Sequence, residues 1–176
     1  MILHRIKQVI AALNASITQK DKVFIERYLS SRAQSLFWAM NVPDQRHVLN
    51  VAYTSLRLAE YRKDVNIELL IKCALLHDVG KVKGHISTAD KIITVIGDYF
   101  CSSRLKKWSR QGRGNKLANL RHAFYVYFHH AAISAAMLKE IGESPKVIEI
   151  IAKHHKTPAD DDPLELTLLR ESDSKH

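Results

Sequence analysis

Apolar residues recur at steps of three and four through nearly the whole sequence, and no segment shows the alternation of a half-buried strand. The expectation is an all-α fold, a single globular helical domain. Ile2, Leu3, Ile6, Val9, Ile10, Leu13 and Ile17 form a first stripe. Thr18 followed by Asp21 has the form of a capping box and opens a second helix to about Leu29. Ser30-Ser31 breaks it, and residues 32–40 read as a third helix. Pro43 stops that one and starts another, with Val48, Val51, Ala52, Ser55 and Ala59 inward. Asn66 caps a helix carrying Ile67, Leu70, Ile71, Ala74 and Leu75, which closes at His77-Asp78 with Gly80 as its terminator.

Between about 85 and 116 the pattern loosens. Ser87 or Thr88 is expected to cap a helix through Tyr99, and 109-SRQGRGNK-116 to form a mobile loop. A long helix follows with Leu117, Leu120, Phe124, Phe128, Ala131, Ala135 and Leu138 on one face, closed by Gly142. Ser144 as cap and Pro145 as first residue begin a helix that ends at His154-His155. The loop KTPADDDP leads to a last helix holding Leu164, Leu166, Leu168 and Leu169. With 176 residues, 46% of them hydrophobic and 26% charged, the chain can bury one core. Residues 1–43 read as an N-terminal helical extension packed on a core domain of 44–176. No apolar run is long enough to span a bilayer or form a signal peptide, and two cysteines do not make a disulfide framework. A cytoplasmic protein is expected.

The formal net charge of +9 points to anionic partners. From Tyr99 to Lys139 there is no acidic residue, while Arg104, Lys106, Lys107, Arg110, Arg113, Lys116 and Arg121 fall inside that stretch. Asp160, Asp161 and Asp162 invert the sign near the carboxyl end. Solvated faces would account for both runs equally well.

Ten histidines are many for this length, and most fall at expected helix ends. Helix ends that converge place metal ligands rigidly. A His beside an Asp offers one nitrogen and one oxygen donor, a set suited to Zn, Fe or Mn. A single histidine is more often a surface or capping residue than a ligand. A rival pairing, Cys73 with His77 four residues on, could join a zinc site, although Cys73 also fits a buried stripe.

The segment 75-LLHDVGK-81 resembles the signature of the HD-domain superfamily of metal-dependent phosphohydrolases, in the subgroup written His-Asp-Ile-Gly-Lys. The other pieces follow in the same order. His47 lies in 46-RHVLNVA-52, and His130 opens 130-HAAISAAML-138, where Ala131 and Ser134 replace the family's Pro and Gly. The paired His154 and His155 close 148-IEIIAKHH-155, and Asp173 lies in 168-LLRESDS-174, which resembles a closing Leu-x-x-Ala-Asp helix. The Gly-Tyr-Pro loop of cyclic di-GMP phosphodiesterases is absent after His155. The position of Asp173, three residues from the end of the sequence, is one where fraying is expected.

The resemblance implies an HD-domain-like bundle with ligands from several helices. His47, His77, Asp78 and Asp173 would hold one divalent transition metal (Fe, Mn, Zn or similar). With a second ion, Asp78 would bridge, and His130, His154 and His155 would complete the set. The implied activity is hydrolysis of a phosphomonoester, phosphodiester or anhydride in a nucleotide or related phosphorylated small molecule, through a metal-activated water. Asp78 and Lys81 would be the catalytic residues, Lys81 contacting a phosphate oxygen unless it only caps its helix. Arg104, Lys106, Lys107 and Arg110 are expected in a lid that binds the substrate, with Trp108 placed to stack a base or to pack on the domain. Nucleic acid is a further possible partner for the segment 104–121. Two other readings fit the residues: a catalytically silent nucleotide-binding regulatory domain, and a basic nucleic-acid-binding helical domain.

Overall fold

The computed structural model describes residues 15–84 and 88–176. The first expected stripe lies almost entirely outside these, as does Ser87. The described residues form eight helices and no strand: α1 (Gln19–Tyr28), α2 (Ser31–Trp38), α3 (Val42–Ala59), α4 (Ile67–Leu76), α5 (Thr88–Trp108), α6 (Lys116–Glu140), α7 (Pro145–Lys153) and α8 (Leu164–Ser174). The punctuation residues act as their chemistry dictates. Thr18 and Asp21 complete a reciprocal capping box. Ser30, Asn66, Asn115 and Ser144 each accept a hydrogen bond from the amide three residues on. Gly142, at φ 79°, lets the chain leave α6 through a left-handed residue.

α4 is the centre of the bundle, packed by α3 on one side and by α8, α7, α1 and α2 around it. Its Leu70, Ile71, Leu75 and Leu76 are fully buried, each stabilising the fold by about 1.5–3 kcal/mol. Ile25 of α1 and Ala33 and Phe37 of α2 enter the same cluster, so residues ahead of 44 share its core. A polar group closes this end of the bundle. The Asp21 carboxylate accepts from Thr18 N and Oγ1, from Tyr53 Oη at 2.8 Å, and from both terminal nitrogens of Arg46. Burial pushes its pKa up, but the hydrogen bonds from Arg46, Thr18 and Tyr53 outweigh that and hold it well below the usual carboxylate range.

Three expectations need correcting. The helix expected to end at Tyr99 continues to Trp108 through a single non-helical residue, Cys101, at φ −143° and ψ 35°. Gly80 is not a left-handed helix terminator, since only Gly84, Gly112 and Gly142 have positive φ among the described residues. It is small because α6 passes close by. A Cβ there would meet the His130 carbonyl oxygen at 2.8 Å and the Ser134 amide nitrogen at 3.0 Å. The inward face of α6 is also more polar than its apolar stripe suggested: Leu117 is exposed, while His122, His130 and Ser134 are buried.

Candidate metal centre

The two helix ends expected to converge, at His77 and at His154-His155, do so with His130 from the middle of α6. α4 ends at His77, which donates its Nδ1 hydrogen to the Ala74 carbonyl at 2.9 Å. His130 does the same to Tyr127 O at 2.8 Å, and His154, the C-cap of α7, to Ile151 O at 2.6 Å. A carbonyl only accepts, so each imidazole carries its proton on Nδ1 and turns the Nε2 lone pair toward the centre. The repeated bond to residue i−3 fixes ring orientation before any ligand arrives.

α3 adds His47 and α8 adds Asp173, joined Nε2 to Oδ1 at 3.0 Å. His77 Nε2 lies 3.6 Å from the same oxygen and 3.6 Å from Asp78 Oδ2. Asp78 also faces His47 at 3.6 Å and His130 at 3.3 Å, and accepts from Lys81 Nζ at 2.7 Å. His155 stands at the exposed rim with its Nε2 2.8 Å from that of His130. His154 is the middle member, its ring 5.1 Å from His77, 5.5 Å from His130 and 4.1 Å from His155. All seven residues expected as metal ligands are therefore brought together, with Lys81 beside them.

The donor atoms fall into overlapping groups whose atoms all lie within 4.8 Å of one another: His47, His77, Asp173; His77, Asp78, His154; and His130, His154, His155. His77 Nε2, His154 Nε2 and Asp78 Oδ1 are buried with no hydrogen-bond partner. Leaving such atoms unpaired costs about 1–3 kcal/mol each, more for a charged group, so they fit a cation better than any contact within the chain.

The electrostatics match. Burial pushes Asp78 up, yet Lys81, His77, His130 and His47 hold it well below the carboxylate range. Asp173 is likewise raised by burial, but His47 and His77 beside it outweigh that and hold it well below the carboxylate range. Burial and then the Lys81 charge push His130 down to about 3, and burial with the neighbouring histidines lowers His154. Burial also works against a charge on His77, but Asp78 and Asp173 outweigh it and raise its pKa. At neutral pH the centre therefore offers two anionic carboxylates and the neutral imidazoles of His130 and His154, the protonation states that metal ligands require.

A family model for the HD domain matches residues 45–176, well over half of the chain. The chain belongs to the HD domain family. No curated protein and no solved structure matches it. HD domains belong to a superfamily of metal-dependent phosphohydrolases, and the His/Asp groups of this HD domain could hold a metal ion. No described helix is long and apolar enough to cross a membrane.

Other expected site residues lie elsewhere in this HD domain. Arg104, Lys107 and Arg110 are on the exposed surface of α5 and the loop after it, outside the histidine cluster. Trp108 packs edge-on against Phe124 with ring centroids 6.0 Å apart and carries the Arg121 guanidinium 5.4 Å from its centroid. Cys73 is fully buried in the apolar core with its thiol pKa raised, first by burial, and it joins no metal-competent group among the described residues. Asp173 sits inside α8, which continues to Ser174.

Three supports were not read from the sequence. Arg170 donates from Nε to His154 O at 3.2 Å and from Nη2 to Lys153 O at 2.9 Å, while Nη1 pairs with Asp162 Oδ2 at 2.6 Å. It thereby clamps the end of α7 that carries His154 and His155. Ser134 accepts from Gly80 N at 2.9 Å, so the departure from the family's Gly gives a bond between α6 and the His-Asp turn. Ser172, where the family has Ala, receives the Ser55 hydroxyl at 2.9 Å and ties α8 to α3 one residue before Asp173. The spacing of Ser134 four residues after His130 was a usable signal; nothing local marks Arg170.

Proposed function

We propose that this HD domain hydrolyses a phosphate ester or anhydride of a nucleotide or related phosphorylated small molecule, with one or two divalent transition metals held by His47, His77, Asp78, Asp173, His130, His154 and His155. The convergence of buried, unpartnered donors on Asp78 carries this reading. When bound, such a metal acidifies a water and polarises a phosphoryl oxygen. The chain supplies the rest. Its carbonyls at Ala74, Tyr127 and Ile151 keep the imidazole lone pairs aimed inward. Asp78 touches both histidine sets. Lys81, fixed on Asp78 and half-buried, retains N–H directions for a phosphate oxygen and offsets charge that develops there. The free thiols Cys73 and Cys101 suit a reducing, cytoplasmic setting.

The test is a panel of nucleotides, dinucleoside polyphosphates, cyclic dinucleotides and chromogenic phosphodiesters, assayed with Fe, Mn or Zn. Turnover that Asp78→Ala abolishes supports the reading. A wild-type chain loaded with metal and inert toward every phosphate ester and anhydride would refute it.

A further inference from the structure

The half of α5 after Cys101 and the loop that follows expose Arg104, Lys106, Lys107, Arg110 and Arg113, with no acidic residue from 99 to 139 to neutralise them locally. The loop is held against α6: Arg110 N donates to Arg121 O at 3.2 Å, and Gly112 N to His122 Nδ1 at 3.4 Å. From that attachment a line of flat rings runs along α6. His122 stacks on Tyr125 at 6.4 Å and 18°, and Tyr125 meets His129 at 4.7 Å. These positions, spaced three and four apart, share one face of the helix. Tyr125 and His129 are partly exposed. The next residue along the chain is His130. Cations and rings thus lead from the loop to the rim of the metal centre.

We propose that this surface docks single-stranded nucleic acid, with Tyr125 and His129 as the stacking platform and Arg104, Lys106, Lys107, Arg110 and Arg113 on its phosphates. Stacking surfaces bordered by cations are how single strands are held without regard to sequence. An anionic membrane would use the charges but not a row of rings at helical spacing beside a phosphate-ester site. From Lys116 to His130 is about 21 Å along the helix axis, the length of roughly six stacked nucleotides. A docked strand would bring a phosphodiester to the centre. That delivery rests on the phosphohydrolase reading, while the docking does not.

The test is fluorescence anisotropy of the full chain with labelled 20-nucleotide single-stranded DNA and RNA, and with a duplex of the same length. Vesicles of phosphatidylserine and phosphatidylcholine serve as the competing anion, and bound metal is quantified on the same samples. Single strands are expected to bind better than duplex. Affinity is expected to fall roughly 50-fold between about 50 and 200 mM salt, the slope for four or so neutralised phosphates. Arg104→Glu with Lys107→Glu and Arg110→Glu should flatten that slope, and Tyr125→Ala should weaken binding roughly 5- to 100-fold. Circular dichroism of each variant identifies any that fails to fold, and the wild-type comparison stands without them. No binding of either single strand at low salt overturns the proposal, as does binding of vesicles and not oligonucleotides, or equal affinity for duplex. A chain that binds strands but takes up no metal supports the docking surface and refutes the phosphohydrolase reading instead.

Discussion

Two buried polar clusters sit at different places in this bundle, and they are built on opposite plans. Around Asp21, every hydrogen-bonding direction of the carboxylate is met by Thr18, Arg46 or Tyr53 within the chain. Around Asp78, two imidazole nitrogens and a carboxylate oxygen are buried without a partner, although several donors lie near. A closed network stabilises and specifies the fold. An open one withholds stability until something binds, and its cost is borne by the apolar core of α3, α4 and α8. The contrast separates a carboxylate satisfied within the chain from one left open to a ligand, without reference to any relative.

Asp78→Ala should break the open cluster most severely. The group of His77, Asp78 and His154 loses its carboxylate, and turnover is expected to fall at least about 10³-fold, as suits the loss of several kcal/mol of charge stabilisation. A kinetic assay on a chromogenic phosphodiester checks this; retained turnover would make Asp78 no more than an ion-pair partner of Lys81.

The closed cluster should respond in stability alone. Asp21→Ala is expected to cost about 2–4 kcal/mol in urea unfolding, the cost of a broken buried pair discounted because Arg46 is partly exposed, and to leave metal stoichiometry unchanged. Its pH dependence has a fixed sign. Asp21 has a lower pKa folded than unfolded, where an Asp titrates near about 3.9. Its contribution is therefore complete above about pH 5 and lost as pH falls from there toward the folded value. Asp21→Asn should flatten the acid limb of the stability curve measured between about pH 5 and 2.5.

Smaller changes probe the supports. Arg170→Gln releases the end of α7, and the His130, His154, His155 group should lose about 10- to 100-fold in metal affinity by titration, with the His47, His77, Asp173 group little changed. Ser172→Ala leaves the Ser55 hydroxyl without its partner and should cost about 1–2 kcal/mol in urea unfolding, most of it recovered by adding Ser55→Ala. A single variant with no cost would mean the hydroxyl pair is incidental.

The legible parts of this molecule are those set by neighbours in sequence. Caps at Thr18, Asn66 and Ser144 act through residue i+3, so each helix start could be read directly. The order of His47, His77-Asp78, His130, His154-His155 and Asp173 located the cluster because each falls on a helix end or an inward helix position. Contacts between distant segments were not legible. Arg170 holds residues 16 and 17 positions earlier, and Gly80 is small because of residues 50 and 54 positions later. The kink at Cys101 was missed because neither a proline nor a glycine marks it. The bond that ties α8 beside Asp173 runs to Ser55, 117 positions away.

The most direct measurement is elemental mass spectrometry on the full chain purified in the presence of Fe, Mn or Zn, beside Asp78→Ala and Asp21→Ala. About one to two equivalents of ion are expected in wild type and in folded Asp21→Ala, and fewer than about a tenth in Asp78→Ala. A wild-type chain that takes up no ion, or an Asp78→Ala chain that keeps its full complement, would contradict the assignment of the open cluster as a metal centre.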